Sequence, residues 1–203
     1  MSETASSLAE RKAFLKAWFR QNPPFFKAVA ADARFFALYR QPPVRLDTRL
    51  GLIAGVFYLI WTADAFLPLL LHRLKMSLKA KGVPVLPVIL HRLSIMLGQV
   101  HIGFPALLEP GVFIAHGQIV VDGFTQVKSG VVIRPFVTIG LKEGDWTGPT
   151  IEENVSIGTG AKVLGPITVG ADCKIGANAV VLNDLAPGTT AVGAPARAVK
   201  GDP

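Results

Sequence analysis

The stretch Ile151-Glu-Glu-Asn-Val-Ser-Ile157-Gly-Thr-Gly-Ala-Lys-Val163-Leu-Gly-Pro-Ile-Thr-Val169-Gly-Ala-Asp-Cys-Lys-Ile175 decides the fold. An aliphatic residue returns every sixth position and is followed by a small or polar one. Four residues on stands a small side chain such as Ala161, Cys173 or Ala179. Upstream the same beat passes through Ile102, Leu108 and Ile114, takes one seven-residue step to Val121, and continues through Val127, Ile133 and Ile139. Downstream it reaches Val181. Short flat strands at this period stack as a three-sided parallel β-helix, and the length of the repeat suggests about four coils. Gly158, Gly160, Gly170, Asn178 and Asn183 sit where such a coil must turn, and Gly, Asn and Asp take those corner conformations most readily.

The beat fails in two places. The polar segment Leu141-Lys-Glu-Gly-Asp-Trp-Thr-Gly-Pro-Thr150 lacks its aliphatic residue and reads as a loop extruded from the coil. The extra residue between Ile114 and Val121 falls directly after His116.

Residues 1–97 carry no such repeat and read as an α-helical cap, with 98–200 as the β-helix. Ser7 and Glu10 have capping-box spacing ahead of an apolar series that ends at Asn22-Pro23-Pro24. A second helix is expected over Phe25–Arg40, with Phe25, Phe26, Phe35 and Phe36 on an aromatic face. From Leu50 to Leu71 the chain is nearly all apolar, broken by Asp64 and Pro68. A basic cluster follows, made by His72, Arg73, Lys75, Lys79 and Lys81. Three readings fit this stretch: a buried helix or helix pair in the cap, an interfacial helix lying on a membrane, or a span. The opening Met1-Ser2-Glu3 lacks the basic-then-apolar pattern of a cleavable leader. Gly82, Pro84 and Pro87 are expected to break the chain before a last amphipathic helix over Val88–Leu97.

The net charge of +7 is unevenly placed. Residues 1–100 hold 14 Lys+Arg against 5 Asp+Glu, and residues 101–203 hold 7 against 9. A basic, apolar cap suits an anionic membrane surface or a solvated helical face, and no nucleic-acid-binding motif is present. One cysteine, Cys173, rules out an intrachain disulfide framework and suits a cytoplasmic, reducing setting, at most peripheral to the inner face of a membrane. The four histidines, His72, His91, His101 and His116, are not spaced as a metal site.

The segments Ile114-Ala-His116-Gly, the loop at 141–150, Ile157-Gly-Thr-Gly-Ala-Lys-Val-Leu-Gly165 and Val192-Gly-Ala-Pro-Ala-Arg197 together resemble the hexapeptide-repeat acyltransferases. Within that family the chain is most similar to serine acetyltransferase and to relatives that acetylate sugars or polysaccharides. The resemblance covers about residues 88–200 and implies a left-handed β-helix, homotrimers or dimers of trimers, and acetyl-CoA held in the cleft between neighbouring prisms of the trimer. It makes His116 the general base, a role suited to a neutral imidazole near neutral pH. It also implies a backbone N–H, here Gly140, as donor to the thioester oxygen. Gly158, Thr159, Gly176 and Ala177 would line the CoA groove, with Arg197 and Lys200 toward its phosphates.

The chain departs from the family at the acceptor. The aspartate that orients the catalytic histidine is replaced by His101, which becomes a candidate acceptor contact, and Asp122 or Glu109 is left to orient His116. The second family aspartate is Ala115, and the Arg-His pair of the loop is replaced by Trp146-Thr147-Gly148. Serine would lose partners for both its charges, so a sugar-containing or other small hydroxyl acceptor is expected, with Trp146 as an apolar or sugar-stacking wall. Serine O-acetylation itself and a non-catalytic scaffold are the alternatives.

Overall fold

In the computed structural model, which describes residues 5–199, five helices precede a three-sided coil. The helices are α1 (Ala5–Arg20), α2 (Phe25–Arg40), α3 (Arg49–Thr62), α4 (Phe66–Ala80) and α5 (Leu86–Gly98). The strands are β1 (Val100–Ile102), β2 (Leu107–Leu108), β3 (Phe113–Ile114), β4 (Ile119–Val121), β5 (Gln126–Val127), β6 (Val132–Ile133), β7 (Thr138–Gly140), β8 (Thr150–Ile151), β9 (Ser156–Ile157), β10 (Lys162–Leu164), β11 (Thr168–Val169), β12 (Lys174–Ile175), β13 (Val180–Val181), β14 (Thr190–Val192) and β15 (Arg197–Val199).

Through β13, every third strand pairs in parallel. The three walls run β1-β4-β7-β10-β13, β2-β5-β8-β11 and β3-β6-β9-β12-β14, and β15 closes the last wall antiparallel. Five strands in the first wall make five coils, one more than the repeat length suggested, because the final turn uses β13 and β14. The register records both failures of the beat. Lys162 pairs with Val180, 18 residues on, whereas Phe113 pairs with Val132 and Gln126 with Thr150, 19 and 24 residues on. The longer steps accommodate the extra residue after His116 and the loop ahead of Thr150.

All thirteen repeat aliphatics from Ile102 to Val181 point inward and are at most 3% exposed. Their burial drives the coil shut, since each removes a full Ile, Leu or Val side chain from water. Cys173 is one of the small residues between them, its thiol donating to the Ala186 carbonyl at 3.1 Å.

The cap is not a separate body, because Ala33, Phe36, Leu59, Phe66 and Leu69 belong to the same apolar cluster as the coil interior. A buried ion pair fastens the two. Arg73 Nε and Nη2 donate to the Asp32 carboxylate at 2.9 and 3.1 Å. Asp32 Oδ1 in turn accepts from the backbone N–H groups of Gly111 and Val112 at 2.8 and 3.3 Å. The same guanidinium also donates to the carbonyls of Leu108 and Glu109. With four hydrogen bonds from the guanidinium and both carboxylate oxygens engaged, the low dielectric that makes a lone charge costly holds these two together.

Several expectations for the cap are corrected. The α1 backbone is already helical at Ala5, so Ser7 lies inside the helix and is not its cap. On α2 the buried face is Ala28, Asp32, Ala33 and Phe36, whereas Phe26 is 84% exposed. Pro87 stands in the first turn of α5, where its missing N–H breaks no helical bond. Of the three readings of the apolar stretch 50–71, the helix pair is what forms: α3 and α4 meet at 118° across Ala63–Ala65. Among the described residues no single helix is long and apolar enough to cross a membrane. The basic cluster after it divides, with His72, Arg73 and Lys75 buried and Lys79 and Lys81 exposed. One face of α3, formed by Leu50, Ile53, Phe57 and Trp61, remains exposed.

Candidate active site

His116 sits at the corner between β3 and β4, where Gln118 takes a left-handed conformation (φ 63°) to turn the chain. Its neighbour Gly117 lies against the C-terminal end of α5. A Cβ added there would stand 1.9 Å from the Gly98 carbonyl oxygen, so the approach requires glycine. The corner therefore packs directly onto the cap.

The cap supplies the group that orients the ring. Asp64 lies in the break between α3 and α4, and its Oδ2 is 2.8 Å from His116 Nδ1. A carboxylate only accepts, so Nδ1 carries a proton, and in the neutral ring Nε2 is left with its lone pair free. Both side chains are open to solvent, His116 at 54% and Asp64 at 67% exposure, and so accessible to a reactant. Sequence reasoning had noted Asp64 only as a charge interrupting an apolar run.

Neither expected carboxylate reaches the ring. Glu109 accepts from Lys128 Nζ at 2.9 Å and from Ser129. Asp122 follows β4, on the far edge of that wall from His116, where its Oδ1 covers Gly103. It faces a cluster made by Lys75, His91 and His101. The Lys75 ammonium donates to the Ile102 carbonyl at 2.6 Å, stands 3.4 Å from His91 Nδ1 and lies over the Phe104 ring. Burial draws the Lys75 amine down to about 7, partly opposed by the charge of Asp122. Burial and the Lys75 charge, with smaller contributions from His101 and Arg92, take His91 down to about 4. His101 packs edge-on to His91, centroids 5.0 Å apart, and lines neither of the clefts at His116. The place that an acceptor contact was expected to fill is thus part of the cap–coil junction.

Trp146 is likewise displaced from the expected site. Within the chain it joins an aromatic cluster with Phe14 and Phe124, at centroid distances of 6.2 and 5.5 Å. Trp18 extends that cluster and donates its indole N–H to the Pro105 carbonyl. The extruded segment is held down on α1 and does not approach His116 of its own chain.

Two clefts of about 280 Å³ each open beside the imidazole. One is bounded by Asp64, Met96, Leu97, Gln99 and Gln118. The other lies between the end of α2 and the coil, bounded by Tyr39, Arg40, Phe113, Ala115, Val132 and Arg134. Tyr39 stacks on Phe113 with centroids 4.0 Å apart, which fixes the last turn of α2 over β3.

The residues expected along a CoA groove form a column beneath His116. Gly158 and Thr159 follow β9 and Gly176 and Ala177 follow β12, on the same corner that carries His116 after β3. Thr159 and Ala177 are exposed, and the Asn178 N–H donates to the Thr159 carbonyl at 2.9 Å. Gly158 has a structural reason to be glycine. A Cβ there would stand 2.6 Å from the Ala177 nitrogen of the next coil. Gly140 ends β7 on the opposite edge of the wall from the His116 corner. Arg197 is exposed on β15, five strands along the wall from β3, or roughly 24 Å at the usual spacing. Lys200 lies outside the described residues.

Residues 148–183 match the family described as bacterial transferase hexapeptide (six repeats). The chain is 37% identical over 177 residues to a serine acetyltransferase of Synechococcus elongatus, covering 86% of this chain and 68% of that one. In structure it is similar to Neisseria gonorrhoeae serine acetyltransferase in complex with serine, at a TM-score of 0.72 and 29% identity, covering 87% of this chain and 69% of that one. It is similar too to a serine acetyltransferase in complex with CoA, at a TM-score of 0.72 and 31% identity, covering 89% and 72%.

Proposed function

Because this chain belongs to the hexapeptide-repeat acyltransferases, in their serine acetyltransferase branch, with the family's left-handed coil, we propose that it moves an acetyl group from acetyl-CoA to the hydroxyl of serine or a close small-molecule analogue. The observation that carries the reading is the Asp64–His116 pair at 2.8 Å, open to two small clefts and standing at the head of the coil-corner column. A non-catalytic scaffold has no need of a carboxylate-oriented, solvent-accessible imidazole.

The chemistry follows from the free Nε2. It accepts the acceptor's hydroxyl proton as the oxygen attacks the thioester carbonyl. The new C–O bond forms, the negative charge passes to the carbonyl oxygen, and collapse breaks the C–S bond. The departing thiolate takes the proton from the imidazolium, so His116 returns to its starting state. Asp64 keeps Nδ1 protonated throughout and stabilises the transient positive charge, as a positioning residue.

The acceptor reading moves from a sugar to serine for two reasons. The relatives described above are serine acetyltransferases. Clefts of about 280 Å³ also suit a metabolite better than a saccharide chain. For the donor, acetyl-CoA would lie along the corner past Thr159 and Ala177. Gly140, on the opposite edge of its wall, would meet the thioester only from a neighbouring copy, which agrees with assembly as a trimer.

Release of CoA thiol from acetyl-CoA in the presence of L-serine is the direct test. His116→Ala should lower the rate by at least 100-fold, within the range that general-base catalysis supplies. Undiminished turnover in that variant would remove His116 from the reaction.

A further inference from the structure

Two guanidinium groups stand beside His116 without an ion-pair partner among the described residues. Arg40, on the last turn of α2, donates through Nη2 to the Ala115 carbonyl at 3.3 Å, one residue from the imidazole. Arg134, on the same coil corner one turn below, donates through Nη1 to Ser156 Oγ at 2.8 Å. Among the described residues neither lies within ion-pair distance of an Asp or Glu. Each keeps four further N–H donors, and a guanidinium does not lose its charge in a protein. Both line one cleft, whose other walls include the apolar surfaces of Tyr39, Phe113 and Val132, and which opens on His116. Apolar walls strengthen the field of fixed charges inside a cleft.

We infer that this cleft is the seat of the acceptor's carboxylate, held by Arg40 and Arg134. The inference rests on the acyl-transfer reading and specifies its acceptor as a hydroxyl acid. It also answers the deficit seen in the loop, where Trp146-Thr147-Gly148 offers no cation and Trp146 is engaged with Phe14 and Phe124. The positive charge comes from the cap and the second coil instead. Acetyl-CoA is the other source of anionic groups, but its phosphates lie a full pantetheine length from the thioester. The acceptor is the anion that must come next to the imidazole.

Calorimetric titration of the full chain with L-serine, D-glycerate and L-serinamide tests this without requiring turnover, and steady-state kinetics with acetyl-CoA complement it. Arg134→Gln loses only an exposed bond to Ser156, and Arg40→Gln is paired with it as a double variant. The wild type should bind serine and glycerate. The single Arg134 variant should weaken both by at least tenfold and the double variant further. Serinamide binding and the KM for acetyl-CoA should stay within twofold. A thermal midpoint preserved in Arg134→Gln shows that the change is local. If serine is bound but not acetylated, the acceptor of the reaction is wrong and the carboxylate seat stands. If the wild type binds neither carboxylate, if the variants bind both unchanged, or if the KM for acetyl-CoA rises instead, the seat is refuted.

Discussion

Replacing Asp64 by asparagine separates an orienting role from a structural one, because the two roles differ in magnitude here. The side chains of Asp64 and His116 are 67% and 54% exposed, so their ion pair is screened by water and contributes about 0–1 kcal/mol to folding. For a chain of this size that shifts the thermal midpoint by no more than about 4 °C. Catalysis is affected differently. The asparagine amide can donate to Nδ1, which places the ring proton on Nε2 and removes the lone pair that must accept the hydroxyl proton. In a buried serine-protease triad the corresponding change lowers kcat by about 10⁴. Solvent at this site allows the ring to find the productive tautomer part of the time. We therefore expect a fall in kcat of about 10- to 100-fold, equal to about 1.4–2.7 kcal/mol of barrier. The KM for acetyl-CoA should be unchanged. Asp64→Ala should behave similarly and Asp64→Glu should recover part of the rate. Thiol-release kinetics and a melting curve suffice as assays. A kcat within twofold of wild type, or a loss matched by a large drop in melting temperature, would refute the assignment.

Asp32→Ala leaves the Arg73 guanidinium buried without its counter-ion and frees two backbone N–H groups at Gly111 and Val112, so urea unfolding should show a loss of about 3–5 kcal/mol. Gly117→Ala forces a Cβ against the Gly98 carbonyl and pushes the corner off α5. Stability should fall by about 1–3 kcal/mol and activity should fall with it, as melting and turnover measured together would show. His72 is held neutral by burial and by the charges of Lys75 and Arg73, and His91 by burial and Lys75. Their contribution is complete above the ordinary histidine value of 6.5 and is lost as the pH falls from there, for His91 down to about 4. Urea midpoints across that window should decline less steeply in His91→Gln than in the wild type. Lys75 follows the same sign at higher pH. Its amine is drawn down to about 7 in the fold and returns to 10.5 on unfolding, so stability should rise between those values, a rise absent in Lys75→Met.

The coil was legible because it is written locally. One aliphatic per six residues fixes the interior, and the register steps of 19 and 24 follow from the two places where the spacing fails. His116 was legible for the same reason, standing beside one of those failures. Its partner was not. Asp64 is 52 residues away, and only the 118° bend between α3 and α4 brings it to the ring. No period in the sequence encodes that bend. Asp122 was the natural expectation because it is six residues from His116, but in a triangular coil six residues is one whole wall, so sequence neighbours at that spacing occupy different corners. The loop around Trp146 was correctly read as an excursion, yet its destination depended on Phe14 and Trp18 of α1 meeting Phe124, about 110 residues on, in one aromatic surface.

The uneven charge of the chain also has a physical meaning that composition alone left open. Its basic half was read as a face for anionic lipid or solvent, yet Arg73 and Lys75 point inward. Arg73 clasps the carbonyls of Leu108 and Glu109 through its pair with Asp32, and Lys75 binds the Ile102 carbonyl. Arg40 reaches the Ala115 carbonyl beside the imidazole. These are carbonyls of the first coil, which has no coil above it to cover its upper edge. A repeat that stacks on itself must be terminated by something that differs from the repeat. Here the terminating cap presents cations to that edge, and the break between its α3 and α4 carries Asp64 to the His116 corner, one of the two places where the period slips. Capping the coil and completing the Asp64–His116 pair are therefore one structural act. Any change that loosens the cap should reduce turnover before it unfolds the coil.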